Sequence, residues 1–175
     1  NGTVLSLKRE NTEHPSFRIE DGRFDWITVK PAKDDKENHY IVIITDGYEW
    51  PFLVDEGGVR YRTGLGHLIE LHQVPAIGWE GNQAFGSGRG YIWSRTLPML
   101  KDTILLGYGA DTYCIYFPHE DYVGKYNADW NINLIVDKPH NMYMGIAIGT
   151  GMLSLLALLS LFGVYAVQSF LIYRR

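Results

Sequence analysis

The C-terminal part of the sequence contains one long apolar run, and this run constrains the rest of the chain most. Residues 142–173 carry no Asp, Glu, Lys or Arg, and Arg174 and Arg175 follow directly. A helix needs about 20 apolar residues to cross the hydrocarbon core of a bilayer, so the run is long enough to span a membrane with some tilt. Buried helices of soluble proteins rarely reach this length without a charge. The sequence therefore predicts a single-pass membrane protein with its transmembrane helix within residues 140–175.

Small side chains form two stripes along this predicted helix, on opposite sides. Close backbone approach drives helix association in lipid, so both stripes predict packing against other transmembrane subunits. Such residues are also common in membrane helices that pack against nothing. An amide that faces lipid is costly, so Gln168 favours a helix partner as well. The predicted helix-packing residues are Gly145, Ala147, Gly149, Gly151, Ser154, Ala157, Ser160, Gly163 and Gln168.

The flanking charges predict the orientation of the helix. Arg174 and Arg175 outweigh Lys138 on the other flank, and positive charge favours the cytoplasmic side. We therefore expect a type I protein with a cytoplasmic C-terminus and an extracytoplasmic domain, residues 1–139, from which a signal peptide has been removed. The alternative is a tail-anchored protein whose bulk lies in the cytosol. Asn1 begins an Asn-Gly-Thr sequon and is a candidate glycosylation site.

Composition excludes some partners of the predicted domain. The chain has a formal net charge of −4, and two of its arginines lie beyond the apolar run. Nucleic acids and anionic lipid surfaces need a basic partner surface, so we expect no nucleic-acid partner, with the bilayer contacted through the helix. The single cysteine, Cys114, rules out a disulfide within the chain.

Strand patterns dominate the first half of the chain. Residues 40–62 alternate β-branched runs with Asp46-Gly47 and with a second glycine turn, which is the pattern of a β-meander. An earlier Asp21-Gly22 pair predicts a tight type I′ hairpin, with Ile19 opposite Phe24 and Phe17 opposite Trp26.

Further short strands are predicted after residue 62. Residues 65–71 favour a strand over a short helix, residues 91–95, 103–106, 112–117 and 130–136 are predicted strands, and a glycine-rich loop occupies residues 78–90. Many short strands and little helix predict an extracytoplasmic antiparallel β-sandwich, followed by one C-terminal transmembrane α-helix.

Motifs for catalysis and cofactors are weak. The loop Gly86-Ser-Gly88-Arg-Gly90 lacks the Gly-Lys-Ser/Thr of a phosphate-binding loop. Cys114 followed by His119 resembles the C-terminal ligand loop of cupredoxins, but Glu120-Asp121-Tyr122-Val123 stands where that loop carries its axial Met. We therefore expect no cofactor, no metal site and no catalytic residues.

The function predicted from sequence is that of a non-catalytic accessory or structural subunit of a larger membrane complex. The helix would pack against partner helices, and the β-domain would brace the outer face of the complex. Trp79, Phe85 and Arg89 are the predicted partner-contacting residues of the glycine-rich loop. Two alternatives are a cell-surface module that recognises glycans or proteins, for which exposed aromatic residues are suited, and a membrane-tethered metal or redox protein.

Overall fold

The computed structural model describes residues 4–11, 15–34 and 37–174, so the Asn1 sequon lies outside the described residues. The chain divides into two compact units, Asn1–Leu71 and His72–Arg175. The described residues of the first unit form a seven-stranded antiparallel sheet in which each strand pairs with its neighbours in sequence. The strands are β1 (Leu7–Asn11), β2 (Ser16–Ile19), β3 (Thr28–Lys33), β4 (His39–Thr45), β5 (Tyr48–Asp55), β6 (Gly58–Arg62) and β7 (Leu68–Ile69).

The predicted β-meander of residues 40–62 is confirmed. Asp46 and Gly47 have φ values of 44° and 84° and connect β4 to β5, as a type I′ turn requires. The resulting register places Ile43 opposite Trp50. Trp50 is 7% exposed, and its indole Nε1 donates to the Thr45 hydroxyl at 2.9 Å. The turn chemistry thus sets the register of the central strands.

The predicted hairpin register at Asp21-Gly22 is wrong. Asp21 accepts hydrogen bonds from the backbone N–H and the guanidinium of Arg23, and these bonds lower the pKa of Asp21 to about 2. Asp21 and Arg23 therefore pair with each other within the turn and not across two strands. Phe17 in β2 is instead opposite Val29 in β3, several residues farther along the chain.

The second unit is helical, which corrects the strands predicted there. Residues 91–95 lie inside a helix, Thr103 ends a 3-10 turn and residues 104–106 follow as bends, and residues 112–117 contain a short helix. Residues 130–136 form a turn and extended chain that is not paired as a strand. The helices are α1 (Phe85–Met99), α2 (Tyr113–Tyr116), α3 (Tyr122–Asn127), α4 (Met142–Gly149) and α5 (Met152–Tyr173), with a 3-10 turn at Leu100–Thr103.

Side-chain hydrogen bonds explain why the β-like run in α1 is helical. The Thr96 hydroxyl bonds the Ile92 carbonyl, four residues earlier, and Ser94 bonds the carbonyl of Tyr91. These hydroxyls are therefore satisfied inside a buried helix. A short apolar run cannot be assigned to strand or helix by periodicity alone.

One glycine in the predicted loop is required for packing in this unit. Gly88 has a φ of 86°, and a Cβ there would lie 1.8 Å from the Trp130 ring. Regular helix therefore begins only after Gly88, although α1 starts at Phe85. The Trp130 ring packs against a core of eight buried residues: Tyr91, Ile92, Met99, Tyr113, Phe117, Ala128, Val136 and Ile148.

The fold prediction is confirmed for an antiparallel sheet and an apolar C-terminal helix. Among the described residues one helix, α5, is long and apolar enough to cross a membrane. The described part of the first unit forms one sheet, and a sandwich is not confirmed.

Candidate active site

The apolar run is not one continuous helix. It divides into α4 and α5 at Gly151, whose φ of 104° is outside the helical region. A Cβ at Gly151 would lie 2.7 Å from the Leu105 carbonyl oxygen, so the close approach of the two segments requires glycine. The backbone N–H of Tyr108 also donates to the Ile148 carbonyl at 2.8 Å. The end of α4 is therefore held by the segment that follows the 3-10 turn.

The predicted helix-packing residues fall into two groups. Ala147 is 1% exposed, and Gly149 accepts a backbone hydrogen bond from Gly109, so these two make contacts within the chain. Packing against partner helices stays a prediction for all the residues named above. The residues of this set that α5 carries are exposed on the helix surface: Ser154, Ala157, Ser160, Gly163 and Gln168.

The segment before α4 holds a histidine in an uncommon backbone conformation. His140 has a φ of 49°, a left-handed value that costs energy in residues other than glycine and often marks a functional position. Hydrogen bonds hold the residues on both sides of it. The Trp93 indole Nε1 donates to the Pro139 carbonyl at 2.9 Å, and the Asn141 side chain caps α4 by accepting from the backbone N–H groups of Tyr143 and Met144. We call residues 139–141 the His140 loop.

His140 faces a carboxylate. Its Nε2 lies 3.8 Å from Oδ1 of Asp137, and the two side chains are 46% and 64% exposed. An exposed pair of this kind contributes little to stability. The carboxylate nevertheless lies on the Nε2 side of the ring and leaves Nδ1 to accept a proton from a hydroxyl. This histidine and carboxylate are therefore a candidate general-base pair.

Sequence reasoning did not identify His140. Two sequence features could have identified it. Asn141, a strong N-cap residue, follows His140 at the start of the apolar run, and Asp137 lies three residues before His140. The left-handed backbone and the Trp93 contact, which make the histidine notable, depend on the tertiary fold.

The structure brings two of the three predicted loop residues together beside Trp93. The Trp79 and Trp93 rings are edge-to-face with centroids 5.6 Å apart, and the Phe85 ring lies 6.3 Å from Trp93. Arg89 is exposed and lies one helical turn before Trp93, on the same side of α1. Trp93 thus connects these aromatic rings to the His140 loop.

A cleft of about 330 Å³ lies beside the His140 loop. Pro139 and Met142 line it on either side of His140, and its other walls come from α4 and the chain around Tyr113. Its lining is largely apolar, with the charged residues Asp111, Asp137 and Lys138. A ligand with both an apolar and a polar part would match this lining.

A buried charge network supports α1 and α3. Asp121, 1% exposed, accepts from Arg95 Nε at 2.8 Å and from the Tyr91 hydroxyl at 3.0 Å. Lys125, 2% exposed, donates to the His119 carbonyl at 2.8 Å. Burial lowers the pKa of Lys125 and, with help from the Asp121 charge, raises the pKa of Tyr91. This network fixes the helix that carries Trp93.

The cupredoxin-like ligand loop does not form. Cys114 lies in the short helix α2, and the His119 ring bonds the Cys114 carbonyl at 2.7 Å, not its sulfur. Within the described residues no three His, Cys, Asp or Glu side chains are grouped as metal ligands.

The apolar helix α5, the His140–Asp137 pair and the amphipathic cleft together define a class of protein. It is a membrane protein with a histidine and a carboxylate beside a cleft at the N-terminal end of its apolar helix. The family model of O-antigen ligases matches residues 55–159, more than half of the chain. The chain belongs to the O-antigen ligase family. The match begins in β5, includes the His140 loop and ends within α5. No curated protein and no solved structure matches the chain.

The family membership corrects one prediction and supports another. The expectation that the protein is not an enzyme is wrong, because the matched family is one of ligases. The expectation of a membrane location is confirmed by the same family together with the apolar helix α5.

Proposed function

We propose that this chain contributes the catalytic site of a membrane-bound glycosyl transfer that ligates an O-antigen glycan to an acceptor. The observation that carries the proposal is His140, held in a left-handed conformation beside Asp137, which lines the amphipathic cleft. The family match, which covers all of these residues, supports the reaction type.

The proposed chemistry needs one base. An acceptor hydroxyl attacks the anomeric carbon of an activated glycan, a new C–O bond forms, and the bond to the leaving group breaks. His140 Nδ1 takes the proton of the hydroxyl, and Asp137 stabilises the imidazolium that results. An anionic leaving group would be stabilised by a nearby cation, and Lys138, which lines the cleft next to Asp137, is our candidate for that role.

The amphipathic cleft is the proposed place for the lipid end of a substrate. Met142 and Ile146 of α4 offer apolar surface, and Lys138 and Asp111 offer polar contacts on its other walls. Such a cleft suits a molecule that is partly embedded in the bilayer. Because α5 follows α4 directly, the ligand could reach the cleft from the membrane.

Orientation and partners are also proposals. We infer that the residues before α5 lie outside the cytoplasm, because Arg174 and Arg175 follow the helix. The small residues of α5, Ser154, Ala157 and Gly163, are the proposed contact with further membrane helices, from this protein or from a partner.

The test replaces His140 in the full protein, expressed in a bacterium whose own O-antigen ligase is deleted. His140→Ala should reduce O-antigen ligation by at least ~100-fold, the usual scale for loss of a general base. Asp137→Asn should leave partial activity. His67→Ala is the matched control, since His67 is an exposed histidine in the turn between β6 and β7. Full ligation by a stably expressed His140→Ala protein would refute the assignment.

A further inference from the structure

Two tyrosine rings form a stacked pair on the second unit. The centroids of Tyr108 and Tyr116 lie 3.9 Å apart, with an interplanar angle of 5°. Tyr116 is 49% exposed, so part of this pair is presented to solvent. Parallel rings at this distance offer a flat and rigid apolar surface.

The backbone holds both rings in place. Tyr108 follows the 3-10 turn and is fixed by its N–H bond to the Ile148 carbonyl of α4. Tyr116 ends α2, and the first residue of α2, Tyr113, bonds the Thr96 hydroxyl at 2.6 Å. Because the backbone that carries each ring is held by a separate contact and the two rings stack on each other, the surface is formed before any ligand binds, which lowers the entropic cost of binding.

Polar groups lie beside this flat surface. Both tyrosines line a cleft of about 190 Å³ together with the exposed side chains of Lys101 and Asp102. The Tyr108 hydroxyl donates to Asp102 at 3.4 Å. The other walls are apolar or already engaged, since Arg95 is paired with Asp121. The cleft thus presents one flat apolar surface, one carboxylate and one ammonium.

These features match the chemistry of a sugar ring. A pyranose has an apolar face of C–H groups that packs on aromatic rings, and hydroxyls at its edge that bond to carboxylates and amines. The cleft is smaller than the ~300–1,000 Å³ of drug-sized sites, and this favours one ring of a longer chain. Its residues are distinct from those that line the cleft beside His140.

We propose that the Tyr108–Tyr116 pair, with Asp102 and Lys101, is a glycan subsite that binds one pyranose ring of the polysaccharide on which the protein acts. The identity of that polysaccharide rests on the proposed ligase function, whereas the recognition of a sugar ring rests on the geometry of the cleft. A subsite away from the reacting bond would hold the glycan chain during transfer.

The test measures glycan binding by the full protein in detergent, with isothermal titration against a panel of purified bacterial O-polysaccharides and oligosaccharides cut from them. Tyr116→Ala should weaken binding by about tenfold, and Tyr116→Phe, which keeps the ring, should bind as the wild type does. Asp102→Asn should weaken binding several-fold and gives a second variant at an exposed position. The matched control is Ile115→Ala, since Ile115 is 74% exposed on the same short helix.

The outcomes separate this inference from the ligase function. If Tyr116→Ala and Asp102→Asn both bind the glycan as tightly as the wild type does, the subsite is overturned. The proposed ligase function is not affected by that result. A wild-type protein that binds no member of the panel would overturn it as well. A third outcome is that Tyr116→Ala loses binding while the wild-type protein shows no ligation in cells. This outcome would support the subsite and refute the ligase function. In an active enzyme, Tyr116→Ala should raise KM for the glycan and leave kcat nearly unchanged.

Discussion

Replacing Asp121 tests whether the buried charge network holds the second unit together. Asp121 is the only carboxylate among the described residues that contacts both Arg95 and the Tyr91 hydroxyl. The Arg95 and Asp121 side chains are 6% and 2% exposed. In Asp121→Asn the shape is kept, but the Arg95 charge stays buried without its counter-charge. Lys125, also buried, loses a neighbouring negative charge that raises its pKa.

The magnitude follows from the geometry of that pair. Removing one partner of a buried ion pair costs about 3–5 kcal/mol, because the remaining charge is neither hydrated nor compensated. For a unit of this size that corresponds to a fall in Tm of more than about 10 °C. The loss exceeds that of one neutral hydrogen bond, about 1 kcal/mol. The size of the effect therefore distinguishes a charge network from a simple hydrogen bond.

The assay is thermal unfolding of the full protein in detergent, followed by circular dichroism. Asp129→Asn is the matched control, because Asp129 is exposed and has a φ of 58° that Asn tolerates. The double variant Arg95→Met/Asp121→Asn removes the uncompensated charge and should recover part of the lost stability. Measured together with Arg95→Met alone, it gives a coupling energy. If Asp121→Asn unfolds within about 0.5 kcal/mol of the Asp129→Asn control, the reasoning fails, because a surface change has that size.

Three further predictions test the second unit. Gly151→Ala should destabilise it by more than about 2 kcal/mol in the same unfolding assay, because the new Cβ would lie 2.7 Å from the Leu105 carbonyl oxygen. Gly163→Ala is the control and should be neutral or slightly stabilising, since no atom lies within 4 Å of a Cβ at that position. Burial raises the pKa of the Tyr113 hydroxyl above its usual 10.0. Above about pH 10 this hydroxyl is therefore ionised in the unfolded state and still protonated in the folded state, so the free energy of unfolding should fall by about 1.4 kcal/mol per pH unit. Tyr113→Phe should remove this part of the alkaline slope; an unchanged slope would contradict it. Trp93→Phe loses the hydrogen bond to the His140 loop and should slow ligation by at least about tenfold with about 1 kcal/mol lost in stability; unchanged ligation would show that this contact does not position the site.

The sequence predicted local features whose chemistry is complete within a few residues. Asp46 and Gly47 form the expected turn because both adopt positive φ within one hairpin. Asp21-Gly22 carries the same dipeptide but not the same structure, since Arg23 is close enough to bond Asp21 directly. A dipeptide signal therefore holds only where no neighbouring side chain competes for the same groups.

The helix at residues 91–95, where a strand was predicted, depends partly on contacts that a sequence pattern does not contain. The hydroxyls of Ser94 and of Thr96, which follows that run, bond backbone carbonyls of α1. The Thr96 hydroxyl also lies 2.6 Å from the Tyr113 hydroxyl of α2, 17 residues away in sequence. The candidate site was missed for a related reason. In the sequence, His140 is one of several histidines. The loop that carries it is held by the hydrogen bond from Trp93 to the Pro139 carbonyl, and these two residues are 46 positions apart.

The break in the apolar run connects the candidate site to the membrane. A continuous helix would place the whole run in lipid and leave His140 at the far end of a long rod. The structure instead buries the C-terminal end of α4, with Ala147 and Ile148 each 1% exposed, whereas α5 has no buried residue and presents an apolar surface on all sides. Since α4 has eight residues and a helix rises about 1.5 Å per residue, the His140 loop is separated from the start of the apolar helix by about 12 Å along α4. In the proposed function, a base at that distance would act on a substrate whose lipid end stays in the bilayer, and the glycine at the break permits this arrangement.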